Sequence, residues 1–334
     1  RATRACAALD LRPGARAVIW GLTPRKKGGA PLAPSQDPPG LPGLILRSQG
    51  GFYLVRTPRQ DLQCRGRGRF RKDSTQLLVG DEVTVQPTGP DTGFITCLEP
   101  RKNFLIRPPV ANISRLVLVV SSTQPAPNLL VIDKLTTIAA RREIPVALVF
   151  TKSDLADTAP LAALYRRAGY PAYQVDSLSG SGVEPLRQYL SQGITAFCGN
   201  SGAGKSSLLN AIFPQLALAT GEISRKLGRG RHTTRHVELF PTGQGGYIAD
   251  TPGFSAVDLL QFERMPAAQL ADCFPDFAPY TADCRFTGCS HQVEKGCAVL
   301  AAVEAGEVAQ SRHQNYRAIY QELLSVKDWE LNKP

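Results

Sequence analysis

From Leu44 the apolar positions follow a two-residue beat. Leu44-Ile45-Leu46, Gly51-Phe52-Tyr53-Leu54-Val55, Glu82-Val83-Thr84-Val85 and Gly93-Phe94-Ile95-Thr96-Cys97 each read as a short strand. Turns such as Gly50-Gly51 and Gly80-Asp81 separate them. Short strands at even spacing predict a small barrel, with an OB-fold the best match. Residues 101–110 read as a linker ending in Pro108-Pro109. The beat then changes. Leu116-Val117-Leu118-Val119-Val120 and Val146-Ala147-Leu148-Val149-Phe150 are continuous apolar runs, as in parallel strands buried on both faces. Between them Leu129, Ile132, Leu135 and Ile138 recur at helical spacing. A helix over 160–168, a strand over 172–175, a helix over 183–192, a strand over 194–198, a helix over 207–213 and strands over 237–240 and 246–249 continue the alternation. It predicts a doubly wound α/β domain. Helices are expected last, over 298–307 and 314–326.

The 334 residues suffice for two or three domains. Lys and Arg outnumber Asp and Glu by 39 to 28, giving a net charge of +11 and pointing to an acidic partner such as nucleic acid. No apolar run reaches the length of a membrane span, so a soluble protein without a membrane partner is expected. The start is Arg-rich and acid-poor, with Pro and Gly dominating 24–42. It fits the remains of an organellar transit peptide or a disordered extension equally; residues 17–21 are an alternative early strand.

Gly199-Asn200-Ser201-Gly202-Ala203-Gly204-Lys205-Ser206 fits the P-loop pattern between a predicted strand and a predicted helix. Glycines let backbone N–H groups curl around phosphates at a helix N-terminus. Lys205 is assigned to the β- and γ-phosphates, Ser206 to Mg²⁺, and Ser207 to the same nucleotide contact. Thr151-Lys152-Ser153-Asp154, at the end of a predicted strand, fits a guanine-recognition motif. The Asp154 carboxylate accepts two hydrogen bonds from guanine that adenine cannot offer, and Lys152 lies along the base. A plain helix N-cap at Ser153 or Asp154 is the alternative. Asp176-Ser177-Leu178-Ser179-Gly180-Ser181-Gly182 sits where GTPases carry a base-contacting loop; Ser177 is its candidate contact. The Gly-rich basic segment around Arg231-His232-Thr233-Thr234 offers Thr234, with Thr233 as fallback, to Mg²⁺ when a γ-phosphate orders it. In Asp250-Thr251-Pro252-Gly253, Asp250 holds Mg²⁺ through water and the Gly253 N–H senses the γ-phosphate. The base motif precedes the P-loop, the reverse of ordinary GTPases, so the sheet is read as circularly permuted.

Of eight cysteines, Cys284, Cys289 and Cys297 crowd around His291. Three thiolates and an imidazole at this spacing suit one closed, structural Zn²⁺, in a reducing compartment. Cys273 reads as a small buried residue. Arg65, Arg67, Arg69, Arg71 and Lys72, interleaved with glycines and Phe70, suit a phosphate-tracking, base-stacking RNA surface between two strands. A solvated basic hairpin is the alternative.

These pieces, with Arg101-Lys102-Asn103, Arg107-Pro108 and Asp250-Thr251-Pro252-Gly253-Phe254, resemble the circularly permuted GTPases of small-ribosomal-subunit biogenesis, the RsgA/YjeQ family. The resemblance runs from about residue 44 to the end. It implies a multidomain α/β chain: an extension (1–42), an N-terminal OB-fold β-barrel for RNA (43–107), a circularly permuted P-loop GTPase domain (108–258) and a C-terminal α-helical zinc-binding domain (259–334). It implies a late maturation or checkpoint factor that grips rRNA of the small subunit, cycles between GTP and GDP with Mg²⁺, and is stimulated by that subunit. A monomer in a bacterial cytoplasm is expected, or a plastid stroma if the start is a transit remnant. Asp176 and Lys295-Gly296 depart from the family pattern. Phe254 stands where many GTPases orient water with Gln, so slow intrinsic hydrolysis is expected; His232 is the polar candidate beside Lys205 and Thr234 for the catalytic set, with RNA contact or plain solvation as its alternatives. Two other readings remain: a nucleotide-gated RNA-binding module with little required hydrolysis, and an ATP-using P-loop enzyme.

Overall fold

The computed structural model describes residues 40–68, 70, 75–105, 109–214, 237–243, 245–250 and 265–325, with only the backbone of Asp250. The strand expected over 17–21 lies outside them.

Five strands, β1 (Leu41–Gln49), β2 (Phe52–Arg56), β3 (Asp61–Gly66), β4 (Glu82–Pro87) and β5 (Thr92–Leu98), follow one another in the order β1-β2-β3-β5-β4, and β4 pairs back to β1 to close the barrel. Alternation does the work: Ile45, Val55, Leu62, Cys64, Val83, Val85 and Ile95 point inward and are buried. β3 was not among the expected strands. Its Asp-Leu-Gln-Cys-Arg-Gly sequence offers only Leu62 and Cys64 to the interior, too little apolar signal to stand out. Arg65 therefore belongs to a strand rather than to a connection between strands. The expected linker holds a short antiparallel ribbon, β6 (Phe104–Leu105) with β7 (Val110–Ala111).

The second regime folds as β8 (Ile113–Ser121), α1 (Leu129–Arg141), β9 (Val146–Thr151), α2 (Ala159–Arg167), β10 (Ala172–Val175), α3 (Val183–Tyr189), β11 (Gly193–Gly199), α4 (Lys205–Ile212), β12 (Glu238–Pro241) and β13 (Gly246–Asp250). Strands β10-β9-β8-β11-β13 are parallel and β12 is antiparallel to β13. Side chains of β8 split between the faces as the pleat requires. Leu116, Leu118 and Val120 share a core with Ile132, Leu135 and Tyr165 of α1 and α2; Val117 and Val119 share the other with Leu186 and Leu208 of α3 and α4. The α1 N-terminus is capped by Asn128, whose Oδ1 accepts the Val131 N–H at 3.2 Å.

The barrel joins this sheet edge to edge. Arg47 of β1 pairs with Glu238 of β12, and Asn112 donates from Nδ2 to the Gly80 carbonyl at 2.9 Å. A buried ion pair, Asp81 with Arg101 (2.7 Å), braces the same joint.

The C-terminal part packs two 3₁₀ turns, α5 (Ala278–Thr281), α6 (Ala298–Glu304) and α7 (Gln310–Leu324) around Phe274, Phe277 and Tyr316. Its link to α1 is polar and sealed. Arg312, 1% exposed, reaches Asp133 of α1 at 2.5 Å and Asp276 at 2.8 Å. Asp133 also accepts from Asn315 (2.7 Å) and Tyr165 (3.0 Å). Burial pushes the Asp133 carboxyl up, against the pull of Arg312 and these two donors. Among the described residues no helix is long and apolar enough to cross a membrane.

Candidate functional site

The parallel strands end on one edge of the sheet, which brings together segments far apart in the chain. β11 runs into Asn200-Ser201-Gly202-Ala203-Gly204, and α4 starts at Lys205. Gly202 and Gly204 have φ of +79° and +83°, a left-handed backbone that glycine enters without a Cβ clash. Ser206 and Ser207 lie in the first turn of α4, half-buried, beside Lys205.

Thr151, the last residue of β9 and 1% exposed, donates its hydroxyl to the Ala203 carbonyl at 2.6 Å. Lys152 has φ of +58° and donates from Nζ to the carbonyls of Gly202 (3.0 Å) and Gln124 (2.6 Å). A non-glycine residue in that conformation persists only when its surroundings hold it. The holding group is the loop after β8: Ser122 donates from Oγ to the Lys152 carbonyl at 2.6 Å. The base motif and the P-loop are therefore one hydrogen-bonded unit. Sequence reading missed Ser122 and Gln124, because they act through their own loop's return to β9 and carry no motif. Ser153 is half-buried and Asp154 exposed.

In the loop after β10, the Asp176 carboxylate accepts the N–H groups of Leu178 (2.9 Å) and Ser179 (3.1 Å). The Ser179 side chain, then these N–H groups, hold its carboxyl below the usual range. Asp176, which departs from the family pattern, is thus a turn-forming residue; it folds the loop that carries half-buried Ser177. His232, Thr233, Thr234, Gly253 and Phe254, and the side chain of Asp250, lie outside the described residues. So do Arg69, Arg71, Lys72 and the Arg107-Pro108 pair. Arg65 is on β3 and Arg67 directly follows it, both exposed.

Cys284, Cys289, His291 and Cys297 converge: their ligand atoms all lie within 4.8 Å of one another. His291 Nδ1 is 3.6 Å from Cys284 Sγ and 3.4 Å from Cys297 Sγ, and the two sulfurs are 3.9 Å apart. These are edge lengths of a tetrahedron with metal–sulfur bonds of about 2.3 Å. Burial pushes the Cys289 thiol up to about 12 and Cys297 up, and pushes His291 down toward neutral imidazole. Three crowded thiols resist ionising together unless a cation sits among them, so the cluster can hold a metal ion. Cys273 stays apart, buried, its thiol raised to about 11 by burial.

The loop is held from outside. The Glu294 carboxylate accepts the N–H groups of Ser290 (2.8 Å), Gln292 (2.9 Å) and Val293 (3.1 Å), and the Ser290 hydroxyl. Burial opposes ionisation there, but these donors outweigh it and bring Glu294 to about 2. From α7, Tyr316 donates to the Ser290 carbonyl (2.9 Å), and His313 Nε2 lies 2.7 Å from the His291 carbonyl. Only this packing makes His313 and Tyr316 part of the centre; on paper they are helix residues.

Comparison with known proteins agrees with this geometry. The chain matches the RsgA N-terminal domain family over residues 42–95 and the RsgA GTPase family over 98–260. The small ribosomal subunit biogenesis GTPase RsgA of Moorella thermoacetica is 42% identical over 287 residues, 85% of this chain and 98% of that protein. The protein of the same name from a Geobacillus strain is 41% identical over 293 residues, again 85% and 98%. Among solved structures, YjeQ from Thermotoga maritima has a TM-score of 0.72 at 32% identity, covering 86% of this chain and 99% of that one. YloQ, a circularly permuted GTPase, has a TM-score of 0.73 at 34% identity, covering 89% and 99%. With a five-stranded barrel first, the base motif ahead of the P-loop and a Cys₃His cluster last, the chain belongs to the RsgA family of circularly permuted GTPases.

Proposed function

We propose that this chain hydrolyses GTP to GDP and phosphate as a late maturation factor of the small ribosomal subunit, gripping rRNA and stimulated by that subunit. The observation that carries the proposal is the tether of Thr151 and Lys152 to the P-loop carbonyls, which makes base and phosphate recognition one site. Asp154, with Thr151, Lys152 and Ser153, reads guanine, and the Ser177 backbone completes the base contact. Asp154 is exposed, so its discrimination against ATP depends on the base covering it. Gly199 to Ser207 cradle the phosphates, and the Gly253 N–H meets the γ-phosphate.

Ser206, Thr234 and Asp250 are the residues for Mg²⁺, which when bound neutralises charge on the β- and γ-phosphates. Water attacks the γ-phosphorus in line while Lys205 and the loop amides stabilise the spreading charge. With Phe254 unable to orient water, His232 takes that role. Replacing His232 with Ala is expected to cut subunit-stimulated turnover and spare GTP binding; unchanged turnover removes His232 from the mechanism.

The Cys₃His donor set, filled entirely by protein, fits one structural Zn²⁺. The domains of this reading are an extension (1–42), a barrel for RNA (43–107), the permuted GTPase domain (108–258) and the zinc module (259–334). The protein works as a monomer away from membranes, in the bacterial cytoplasm. Bacterial relatives favour that compartment over a plastid, which only the Arg-rich start suggests. A gated RNA-binding module without hydrolysis is not favoured, since the relatives are named GTPases.

GTP turnover with and without isolated small subunits, beside an ATP control, tests the reading. Stimulation confined to GTP and to small subunits is expected. Turnover indifferent to ribosomes sinks the partner, and equal use of ATP sinks the base assignment.

A further inference from the structure

The barrel carries a row of side chains that neither the nucleotide cradle nor the metal centre uses. In register, Phe52 of β2 stands opposite Arg65 of β3, and Arg65 opposite Phe94 of β5. All three face outward, since their strand neighbours Leu62, Cys64 and Ile95 fill the interior. Phe52 is 37% and Phe94 41% exposed. The Arg65 guanidinium carbon lies over the Phe52 ring, 4.3 Å from its centroid, a cation–π contact.

The Arg-Gly alternation that follows is the pleat made visible. Gly66 takes the inward position, where a Cβ would come within 3.3 Å of Leu77 and 3.5 Å of Phe70. Arg67 turns outward again, its N–H bonded to the Ile95 carbonyl at 3.2 Å. Arg65 and Arg67 are thus displayed and Gly66 is turned inward. The row spans two strand spacings, about 10 Å. Flanking outward positions are Gln63, Gln86 and Thr92, so this is no broad apolar patch of the kind a protein partner covers.

Two partly exposed phenyl rings with a guanidinium between them, on a chain of net charge +11, match one ligand chemistry: flat bases on an anionic backbone. Paired bases hide both faces inside a duplex and cannot use such a row. We propose that Phe52, Arg65 and Phe94 form a stacking platform for unpaired nucleotides of an RNA single strand, with Arg67 taking backbone phosphate. The platform rests on the reading of the Arg-Gly stretch as an RNA surface, and sharpens it to the residues that stack and to single strands over duplexes.

The test uses the full chain, a labelled oligouridylate and a blunt RNA duplex of equal length. Wild type is expected to prefer the single strand. The F52L/F94L double variant keeps apolar bulk and removes both rings; it is expected to weaken single-strand binding about tenfold or more and leave duplex binding unchanged. Arg65→Lys keeps the charge and loses the plane, and is expected to weaken the single strand several-fold. GTP turnover without RNA, unchanged in each variant, reports an intact fold. If F52L/F94L binds both RNAs like wild type while R65A/R67A loses both, the platform is wrong and the charged RNA surface stands. If wild type binds neither RNA, the surface reading falls and the platform with it. If a protein captured from lysate, and no RNA, is lost in F52L/F94L, the row is a protein contact and the proposal is overturned.

Discussion

The metal centre takes all its ligands from one short segment, Cys284 to Cys297, whereas the nucleotide cradle is assembled from the ends of β8, β9, β10 and β11. The first is half-buried to buried and braced by Glu294, His313 and Tyr316; the second is open, with Asn200, Ser201, Gly202 and Asp154 exposed. A loop whose four ligands lie within fourteen residues contributes few apolar side chains of its own and would lean on an ion for its order. A cradle of strand ends inherits its order from the sheet and stays accessible for exchange. The two sites should therefore fail independently, and for different reasons.

The largest expected effect is loss of the metal. Structural zinc contributes about 10–16 kcal/mol in small domains whose folding depends on it. Chelation, or Cys289→Ser, should leave residues 265–325 open to limited proteolysis while a fluorescent GDP analogue still binds. A module that stays protease-resistant with no measurable metal would mean that Phe274, Phe277 and Tyr316 suffice as a core.

Next is the seam between the two regions. Arg312→Met leaves Asp133 and Asp276 buried without their cation, and should cost about 3–5 kcal/mol in urea unfolding. Arg312→Lys should not restore it, because one ammonium cannot make the two-pronged contact to Asp276 that Arg312 makes from Nε and Nη2. Metal content should survive the change, since no ligand is touched. If metal is lost in step with stability, the seam and the centre are one cooperative unit and the contrast between the sites is weaker than drawn.

What could be read in the sequence follows the same divide. Motifs whose residues are adjacent in the chain, such as 199–206, 151–154 and 284–297, were visible because the chemistry needs those types at that spacing. The alternating and continuous apolar runs separated barrel from sheet for the same local reason. Arg312 was invisible: on a helix with a basic tail it resembles a solvated charge, and only the packing of α7 on α1 brings it to Asp133. Ser122, Gln124 and Glu294 were equally hidden, since they act by bonding a neighbouring loop: Ser122 and Glu294 hold backbone beside Lys152 and His291, and the Gln124 carbonyl accepts the Lys152 Nζ. The pairing of β12 with β1 joins segments almost two hundred residues apart, and no local pattern encodes it.

A smaller effect is expected at the tether. Thr151→Val keeps the shape of the side chain but leaves the Ala203 carbonyl without its hydroxyl donor. An unmet buried acceptor costs about 1–3 kcal/mol, so GDP affinity should fall roughly tenfold with little change in the metal module. Thr151→Asn, which restores a donor, should recover most of it by equilibrium titration. No loss in the Val variant would show that Lys152 alone joins the two motifs.

The smallest effect belongs to Asp176, in the loop after β10. Its carboxyl is held below the usual range by Ser179 and the Leu178 N–H, so the folded loop favours the ionised form. The sign follows: this contribution is present above the ordinary carboxylate range and is lost as pH falls through the lowered value. Asp176→Ala removes the acceptor of the Leu178 and Ser179 N–H groups and should weaken GDP binding a few-fold at neutral pH. Acidification should weaken wild-type binding toward the Ala value while the variant loses the part of that pH response due to this group. Parallel pH curves for the two proteins would assign the loop's order to its backbone bonds, Asp176 N–H to Ser181 and Gly180 N–H to Asp176, and leave the carboxylate without a role.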